Sequence, residues 1–454
     1  MPAQIATLLV VIFILYLFWA DLKEDQESSN AVWIPMIWMF LAGSRYVSQW
    51  LDLGQPIDPR EIYREGSPLD AAIFGALIVA GATVLARRGL DWGRLLLENR
   101  WIGFYFLFCA VSVVWSDDSF VSLKRWTKAM GDVIMALVVL TEARPYEAMG
   151  TLLRRLAFVI LPLSVLFIKF YPELGRAYHM SAPMYTGAAT SKNTLGQICV
   201  ISGIYFGWVL LYRWQEEIEL GGIRRVVVDG LFVAMIVWLL YMASSATSVA
   251  CWFVAAGLFA TGRVPALAAE PRRLVLFFAL AVALFASLET TLGVSDWIIE
   301  SLGRSKDLTT RVPMWELLMG LNTNPLIGVG YESFWSGERF GVIWRQFPGI
   351  IQAHNGYVDL YLNVGVIGLL LLLIAIGAGV ARIIREMESD YAGSMLRIAF
   401  VTTVLLNNWT EASIKPVSAM FVILCLGILT GAAWEEPEEG GAEPAGPEPM
   451  PLQE

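Results

Sequence analysis

The stretch HNGYVDLYLNVGVIGLLLLLIAIGAGVARIIR, residues 354–385, decides the fold class of this chain. Its residues 360–381 carry no charged side chain, and Arg382 and Arg385 follow them directly. A helix rises about 1.5 Å per residue, so this run is long enough to cross the roughly 30 Å hydrocarbon core of a bilayer. The stretch therefore predicts a membrane-spanning helix with polar residues at its start and arginines at its end.

Similar apolar runs occur along most of the chain. The sequence is 57% hydrophobic and 16% charged, whereas a soluble domain carries about 25% charged residues. We expect an all-α polytopic membrane protein with about 12–13 transmembrane helices. The predicted spans are 4–20, 31–50, 68–86, 101–115, 127–141, 156–171, 194–212, 226–243, 248–262, 273–292, 355–380, 395–411 and 416–433.

Basic side chains mark alternate connections between these spans. Short cytoplasmic loops carry an excess of Lys and Arg. We therefore expect the arginine-bearing connections to be cytoplasmic, and the intervening connections to lie outside. The predicted cytoplasmic connections are those at Arg87, Arg155, Arg225, Arg273 and Arg385.

This topology divides the chain into three parts. Residues 1–433 form the transmembrane domain, and residues 293–353 form one large extracytoplasmic loop with short helices inserted in it. Loops of this length are usually functional or disordered, and its aromatic content favours function. The tail 434–454 has seven Glu and no Lys or Arg, which predicts a disordered acidic cytoplasmic segment.

Composition also argues against several kinds of site. Each of the four cysteines lies in an apolar run, and the sequence contains only two histidines. We therefore expect no structural metal centre and no cofactor. The sequence has no P-loop and no HExxH or GxSxG motif. Nothing in it indicates a nucleic-acid partner.

The residues that open the helix in 354–385 are candidates for chemistry. Asn355, Asp359 and Asn363 recur every four residues and predict a polar stripe on one helix face. Polar and charged groups at membrane depth usually face an internal cavity, although the two Asn residues could simply bond neighbouring helices. His354 stands at the outer mouth of this stripe, where an imidazole can accept a proton near neutral pH. It could alternatively be an ordinary polar loop residue.

Several cations lie on the side where the positive-inside rule disfavours them. Arg311 precedes a predicted short helix, where a phosphate would satisfy both the guanidinium and the helix dipole, or it could pair with Asp307 or Glu316. Lys192 and Asn193 open another span, and Lys192 could simply reach the interface. Arg125 belongs to a third outer basic group. Together these residues predict an anionic ligand.

These segments resemble the O-antigen ligase and polymerase superfamily, nearest to its exopolysaccharide polymerase branch. The resemblance covers about residues 100–430 and implies a GT-C-like multi-span fold. The matching segments are WSDDSFVSLKRW (115–126), TGAATSKNTLG (186–196), SSATSVACW (244–252), TTRVPMWELL (309–318), NPLIGVGYESFW (324–335) and HNGYVDLYLNVGVIGL (354–369).

The resemblance implies roles for particular residues. Arg311 matches the loop arginine held to contact pyrophosphate, His354 matches the histidine that opens the HN helix, and Lys192 with Asn193 match the pair at the start of their span. Many relatives have an Arg shortly before Gly187, whereas this chain has Met-Tyr-Thr there. Arg176 could supply that charge from further back.

The implied activity is glycan transfer from undecaprenyl pyrophosphate to an acceptor hydroxyl, on the periplasmic face of the bacterial inner membrane. The resemblance implies a metal-independent, inverting glycosyltransferase that acts as a polysaccharide polymerase or an O-antigen ligase. Fixed cations would stabilise the leaving pyrophosphate. His354 or a carboxylate such as Asp359 or Glu316 would accept the hydroxyl proton.

The expected partners are the lipid-linked oligosaccharide, a glycan or lipid acceptor, membrane lipids and other polysaccharide assembly proteins. A transporter or flippase of a lipid-linked glycan is the alternative, and a non-catalytic scaffold for polysaccharide assembly is a third possibility.

Overall fold

Apolar runs of the sequence form the helices of a bundle in the computed structural model. The structure describes residues 1–24, 29–52, 67–179, 182–265, 311–321 and 324–431, and five isolated positions between 270 and 287. Six of the described helices are long and apolar enough to cross a membrane, and the bent pair Trp92–Glu98 and Arg100–Trp115 would make a seventh. The predicted all-α polytopic fold is confirmed.

The helices of the N-terminal half are α1 Ala3–Glu24, α2 Trp33–Gly43, α3 Val47–Leu51, α4 Pro68–Arg87, α5 Trp92–Glu98, α6 Arg100–Ser112, α7 Ser119–Leu140, α8 Pro145–Phe170 and α9 Pro172–Gly175. A two-stranded antiparallel sheet follows, formed by β1 Arg176–His179 and β2 Ala182–Tyr185. The later helices are α10 Lys192–Trp208, α11 Trp214–Ala243, α12 Ala246–Gly262, α13 Arg311–Gly320, α14 Gly337–Gln346, α15 Gly356–Glu386, α16 Tyr391–Thr410 and α17 Ala419–Ile428. Helices α11 and α15 are interrupted at Gly222 and Gly365.

Several predicted spans have different boundaries in the structure; the span predicted as 156–171, for example, begins earlier, at Pro145. The prediction of one span over 31–50 is wrong, because the chain breaks after α2. There the Ser44 hydroxyl donates back to the Phe40 carbonyl, and the Arg45 guanidinium donates to the Leu174 carbonyl. The span predicted to begin at 127 begins at Ser119 instead, because the Asp118 carboxylate caps α7. Arg125 is therefore a helical residue.

Some predictions lie outside the described residues. The span 273–292 falls there except for isolated positions, as do the first part of the large loop, 293–310, and the acidic tail. The described part of the loop contains two short helices: α13, in the stretch where the sequence predicts a helix, and α14. Arg311 belongs to the described part of helix α13, Arg311–Gly320, rather than preceding the helix.

Helices α8 and α10 occupy the centre of the bundle. In the most apolar stretch of α8, 83% of the residues are buried inside the bundle, and in that of α10, 72% are buried. In the corresponding stretches of α1 and α4 only 17% and 22% of the residues are buried. The apolar residues of α1 and α4 therefore face outward, as expected for helices in contact with lipid.

Contacts between connections define two ends of the bundle. We call one the loop end, because it carries the connections 171–191, 324–354 and 411–418. The connections 324–354 and 411–418 are in contact, since Gln352 Nε2 donates to Glu411 Oε2 at 2.8 Å. Asn193, which follows the connection 171–191, donates to the same carboxylate at 2.6 Å. At the opposite end the Trp208 indole donates to the Ala392 carbonyl at 2.7 Å.

We call this opposite end the arginine end. Arg154 and Arg155, buried in α8, pair there with Asp229 at 3.4 Å and Asp21 at 2.7 Å. Arg397 also pairs with Glu386. Where the structure describes them, the predicted inner and outer connections lie at opposite ends of the bundle, while the sidedness of the two ends in the membrane stays a prediction.

The break in α15 joins this helix to the large loop. Gly365 has φ +63°, and the carbonyls that the break frees accept hydrogen bonds from Val329 N at 3.2 Å and Gly330 N at 2.9 Å. In return, Val366 N and Ile367 N donate to loop carbonyls at 2.9 and 3.0 Å. Unpaired backbone groups at membrane depth are costly. The break therefore fixes the loop segment 325–330 against α15 by four backbone hydrogen bonds.

Candidate functional site

The start of α15 places His354 at the loop end. The Asn355 carboxamide caps the helix by accepting hydrogen bonds from Tyr357 N at 3.0 Å and Val358 N at 3.2 Å. A Cβ on Gly356 would lie 2.0 Å from the Asn408 Oδ1 atom, so α15 begins in tight contact with α16. His354 itself has φ +50°, a conformation uncommon for a residue other than glycine. Its backbone conformation is therefore imposed by the packing around it.

The carboxylate of Glu411 contacts two other segments of the chain, at Asn193 and at residues 352–354. Its Oε1 atom accepts a hydrogen bond from Asn193 Nδ2 at 2.6 Å, and its Oε2 atom accepts one from Gln352 Nε2 at 2.8 Å. Oε2 also lies 3.5 Å from His354 Nδ1. The Glu411 side chain is only 12% exposed, and that of His354 is 29% exposed. A partly accessible imidazole thus stands beside a shielded carboxylate.

The turn after α16 fixes the position of Glu411. The Asn407 Oδ1 atom accepts hydrogen bonds from Gln197 Nε2 at 2.9 Å and from Ser413 Oγ at 2.6 Å. The Asn408 Oδ1 atom accepts bonds from the backbone N–H groups of Ser413 and Ile414 at 3.0 and 3.2 Å. These bonds tie the turn to α10 and α16, so the carboxylate has a rigid support.

Asp132 in α7 also holds the turn 411–418, by a hydrogen bond to its backbone. Its carboxylate is fully buried and accepts hydrogen bonds from the Trp38 indole at 2.8 Å and from Val417 N at 2.9 Å. Val417 has φ +54°, which is a strained conformation for a β-branched residue. The turn 411–418 is therefore held in its shape by buried polar contacts on two sides.

The predicted polar stripe attaches the large loop to α15. The buried Asp359 carboxylate accepts hydrogen bonds from the Trp335 indole at 2.8 Å and from Ala353 N at 3.1 Å. Asn363 accepts a bond from Phe334 N at 2.9 Å. Each of these residues therefore has a structural role. Contact of Asn355 and Asp359 with substrate stays a prediction.

The predicted cations also lie at the loop end, but in different places. Lys192 and Asn193 open α10, where the Ser191 hydroxyl caps the helix. Arg125 donates from α7 to the Glu332 carbonyl in the large loop. Arg176 donates to the Ile168 carbonyl at 2.9 Å and stacks on Tyr185, with its guanidinium 5.3 Å from the ring centroid.

Two predicted residues belong to α13. Arg311 is the first residue of the described part of this helix, and its side chain lies outside the part of the structure that is described. Glu316 is exposed on the same helix, and it is not among the residues that contact His354 in the described structure. The helix is nevertheless tied to the site, because the Trp315 indole donates to the Ala353 carbonyl at 2.8 Å.

The structure thus brings together His354 and Asn193 and adds two residues that the sequence analysis did not select, Glu411 and Gln352. A signal existed for Glu411, since it is an acidic residue directly after an apolar helix in a predicted outer connection. Lys415 lies exposed on the same turn. Over the described residues no group of three or more His, Cys, Asp or Glu side chains is arranged to hold a metal ion.

Two comparisons with known proteins bear on this site. Residues 188–373 match the family described as O-antigen ligase. The chain is also 27% identical over 317 residues to the "Exopolysaccharide production protein ExoQ" of Rhizobium meliloti (strain 1021), which covers 64% of this chain and 68% of that protein. The family resemblance inferred from the motifs is confirmed. The family match includes Lys192, Asn193, Arg311 and His354, whereas Glu411 lies beyond it.

Proposed function

We propose that the chain transfers a glycan from undecaprenyl pyrophosphate to an acceptor hydroxyl, at the loop end of the bundle and on the periplasmic face of a bacterial inner membrane. The observation that carries the proposal is the His354 imidazole at 3.5 Å from the Glu411 carboxylate, at the end of the bundle that also carries Lys192, Arg125 and Arg176. The O-antigen ligase match over 188–373 supports the same class of reaction.

The reaction needs one proton acceptor and stabilisation of one leaving group. The acceptor hydroxyl attacks the anomeric carbon, a new C–O bond forms, and the bond to the pyrophosphate oxygen breaks. A single displacement from the opposite side inverts the configuration at that carbon. The hydroxyl proton passes to neutral His354, and Glu411 stabilises the imidazolium that results. Fixed residues therefore supply the proton chemistry without a metal ion.

The leaving pyrophosphate takes up negative charge as its bond to the sugar breaks. Arg311, Lys192 and Arg125 are the cations proposed to stabilise it. A guanidinium suits this work because its planar fork makes two parallel bonds to phosphate oxygens. Asn193, the neighbour of Lys192, donates a hydrogen bond to the Glu411 carboxylate, which also lies beside His354. A ligand bound at Lys192 would therefore lie next to the proton acceptor.

The acceptor distinguishes a polymerase from a ligase. The relative from Rhizobium is named for exopolysaccharide production, which supports the polymerase. The test is to incubate the purified chain with an undecaprenyl pyrophosphate oligosaccharide alone. A ladder of longer lipid-linked glycans is the expected result. Product only after addition of lipid A core would indicate a ligase, and movement of unmodified donor across a vesicle membrane, with no new bond, would indicate the flippase.

A further inference from the structure

The loop end contains a buried arginine that the sequence analysis did not select. Arg45 follows α2 and is only 8% exposed. Its Nη2 atom donates to the Leu174 carbonyl, and its guanidinium lies 5.9 Å from the centroid of the Trp50 ring. The Nε atom is buried and has no hydrogen-bond partner among the described residues. A guanidinium has five N–H donors, so the described residues use only a small part of its hydrogen-bonding capacity.

The carboxylates near Arg45 are engaged elsewhere. Within the described parts of the chain Arg45 forms no ion pair. Asp70 in α4 accepts a hydrogen bond from Ser48 N at 2.9 Å instead, and Asp132 and Glu411 accept the bonds described above. The acidic residues of the adjoining α3 and α9 are exposed, namely Asp52 and Glu173. A buried cation without a counter-charge is strongly unfavourable, which indicates that an anionic ligand completes this site.

A second guanidinium lies on the same unit of structure. Arg176 donates to the Ile168 carbonyl at 2.9 Å, as Arg45 donates to the Leu174 carbonyl. An added Cβ on Gly175 would lie 2.5 Å from Ile168 N, so α9 packs directly on the last turns of α8. The two carbonyls that accept from these arginines therefore belong to one packed unit. Arg176 is half-buried and, like Arg45, forms no ion pair with a carboxylate that the structure describes.

A third cation comes from α10. Helix α2 ends at Gly43, where an added Cβ would lie 2.4 Å from the Cδ1 atom of Ile198 in α10. Arg45 follows Gly43 and Lys192 precedes Ile198, so both stand on the loop-end side of this contact. Lys192 is half-buried in the first turn of α10, whose N-terminus carries partial positive charge. Three cations and a helix N-terminus thus lie around the connection 171–191.

We propose that Arg45 binds the pyrophosphate of the lipid-linked donor together with Arg176 and Lys192. The inference rests on the proposed function and adds to it a binding residue from the N-terminal part of the chain. The negative charge of the pyrophosphate would supply the counter-charge that the buried guanidinium lacks. The planar fork of Arg45 can make two parallel bonds to phosphate oxygens. The same contacts would hold the undecaprenyl pyrophosphate that leaves when the glycan is transferred.

The experiment measures binding of undecaprenyl pyrophosphate without a glycan to the full chain purified in detergent. Arg45→Gln should lower the affinity by about 10–100-fold, the range for loss of a hydrogen bond to a charged group. In the absence of ligand, Arg45→Gln should not lower the midpoint of thermal unfolding. Glutamine can still donate to the Leu174 carbonyl, and the change removes an uncompensated buried charge. An arginine with a purely structural role would give a lower midpoint and unchanged affinity.

The matched control is Arg382→Gln. Arg382 is also half-buried and donates to backbone carbonyls, one of them that of Ile428 at 3.3 Å, but it lies at the arginine end. This variant should retain wild-type affinity for undecaprenyl pyrophosphate. If Arg45→Gln does not fold, Arg45→Lys replaces it, with an expected loss of about tenfold because an ammonium cannot form the two parallel bonds.

The outcomes separate this inference from the proposed function. Wild-type affinity in Arg45→Gln, or in Arg45→Lys where that variant replaces it, would overturn the role of Arg45 and leave the proposed function standing. Equal losses in Arg45→Gln and Arg382→Gln would also overturn it. If the wild type did not bind undecaprenyl pyrophosphate, both the inference and the proposed donor would be wrong.

Discussion

At the scale of single residues, the distance of 3.5 Å between His354 Nδ1 and Glu411 Oε2 links two segments that lie far apart in the sequence. Asn193 and Gln352 each bind a different oxygen of that carboxylate, at 2.6 and 2.8 Å. A carboxylate held on both oxygens has a fixed orientation toward the imidazole. In such a pair the carboxylate sets the ring orientation and stabilises its charged form.

His354→Gln tests the proton acceptor. Loss of a general base typically lowers turnover by about 10²–10⁴-fold, and we expect a loss in that range with donor binding retained. In the wild type, turnover should fall at acidic pH, because only the neutral imidazole accepts the proton. The measurement is the pH profile of glycan transfer for both proteins. Full activity with an unchanged profile in His354→Gln would show that the base is another group.

Glu411→Gln tests whether the carboxylate and the imidazole act as a unit. The change keeps one oxygen for hydrogen bonding but removes the charge that would stabilise an imidazolium. We expect a loss of about 10²-fold or more, and a double variant with His354→Gln no slower than the slower single variant. Glu338→Gln, an exposed change at the same end, is the control. Additive losses would mean that the two residues act independently.

Arg311→Lys tests the contact with pyrophosphate. A lysine keeps the charge but cannot form the two parallel bonds of a guanidinium. We expect Arg311→Ala to lose about 10²–10³-fold in transfer, and Arg311→Lys to recover only a small part of it. Arg345→Lys in α14, also in the large loop, should leave transfer unchanged. Wild-type transfer by Arg311→Ala, at normal protein levels, would assign pyrophosphate binding to other cations.

At the scale of secondary structure elements, the interruption of α15 determines where the large loop lies. The freed backbone groups of the helix pair with those of 325–330, and Asp359 and Asn363 add side-chain bonds to the following residues. A second apolar cluster, built from α13, α14 and the loop, packs above these bonds. The loop that precedes His354 is therefore hydrogen-bonded at several points to α15, the helix that begins just after His354.

Gly365→Ala tests this junction. The glycine has φ +63°, and an added Cβ would lie 2.3 Å from the carbonyl carbon of Leu326. Strain at such a position costs about 1–3 kcal/mol, so we expect a lower midpoint of thermal unfolding in detergent and loss of transfer. Gly377→Ala in the same helix is the control, since no atom lies within 4 Å of its added Cβ. Equal stability of the two variants would contradict the role given to the break.

At the scale of the whole molecule, the two ends of the bundle have different chemistry. Ion pairs of buried arginines with acidic residues concentrate at the arginine end, and the loop end carries the His354 and Glu411 pair. The positive-inside rule, applied to the arginines of the connections, predicts that the arginine end is cytoplasmic. Undecaprenyl pyrophosphate glycans would accordingly meet the loop end on the periplasmic side.

Cysteine labelling tests this orientation. The four native cysteines are buried, so a single introduced cysteine at an exposed position can be detected above them. We expect Glu338→Cys to react with a membrane-impermeant thiol reagent in intact cells treated to expose the inner membrane. Arg385→Cys should react only after permeabilisation. The reverse pattern would invert the topology and remove the periplasmic site.

The sequence by itself determined the fold class, most of the helices and the arginine pattern, because bilayer thickness and hydropathy act on local stretches of chain. Motif order was sufficient for the family resemblance, and it selected His354 as a candidate whose role stays a prediction. Only the tertiary structure decided that Glu411 joins His354, that Asp359 holds the loop, and that α2 ends at Gly43. Each of these depends on contacts between segments distant in sequence, such as the bond from Asn193 to Glu411. Local periodicity carries no information about which distant polar groups will pair when the helices pack.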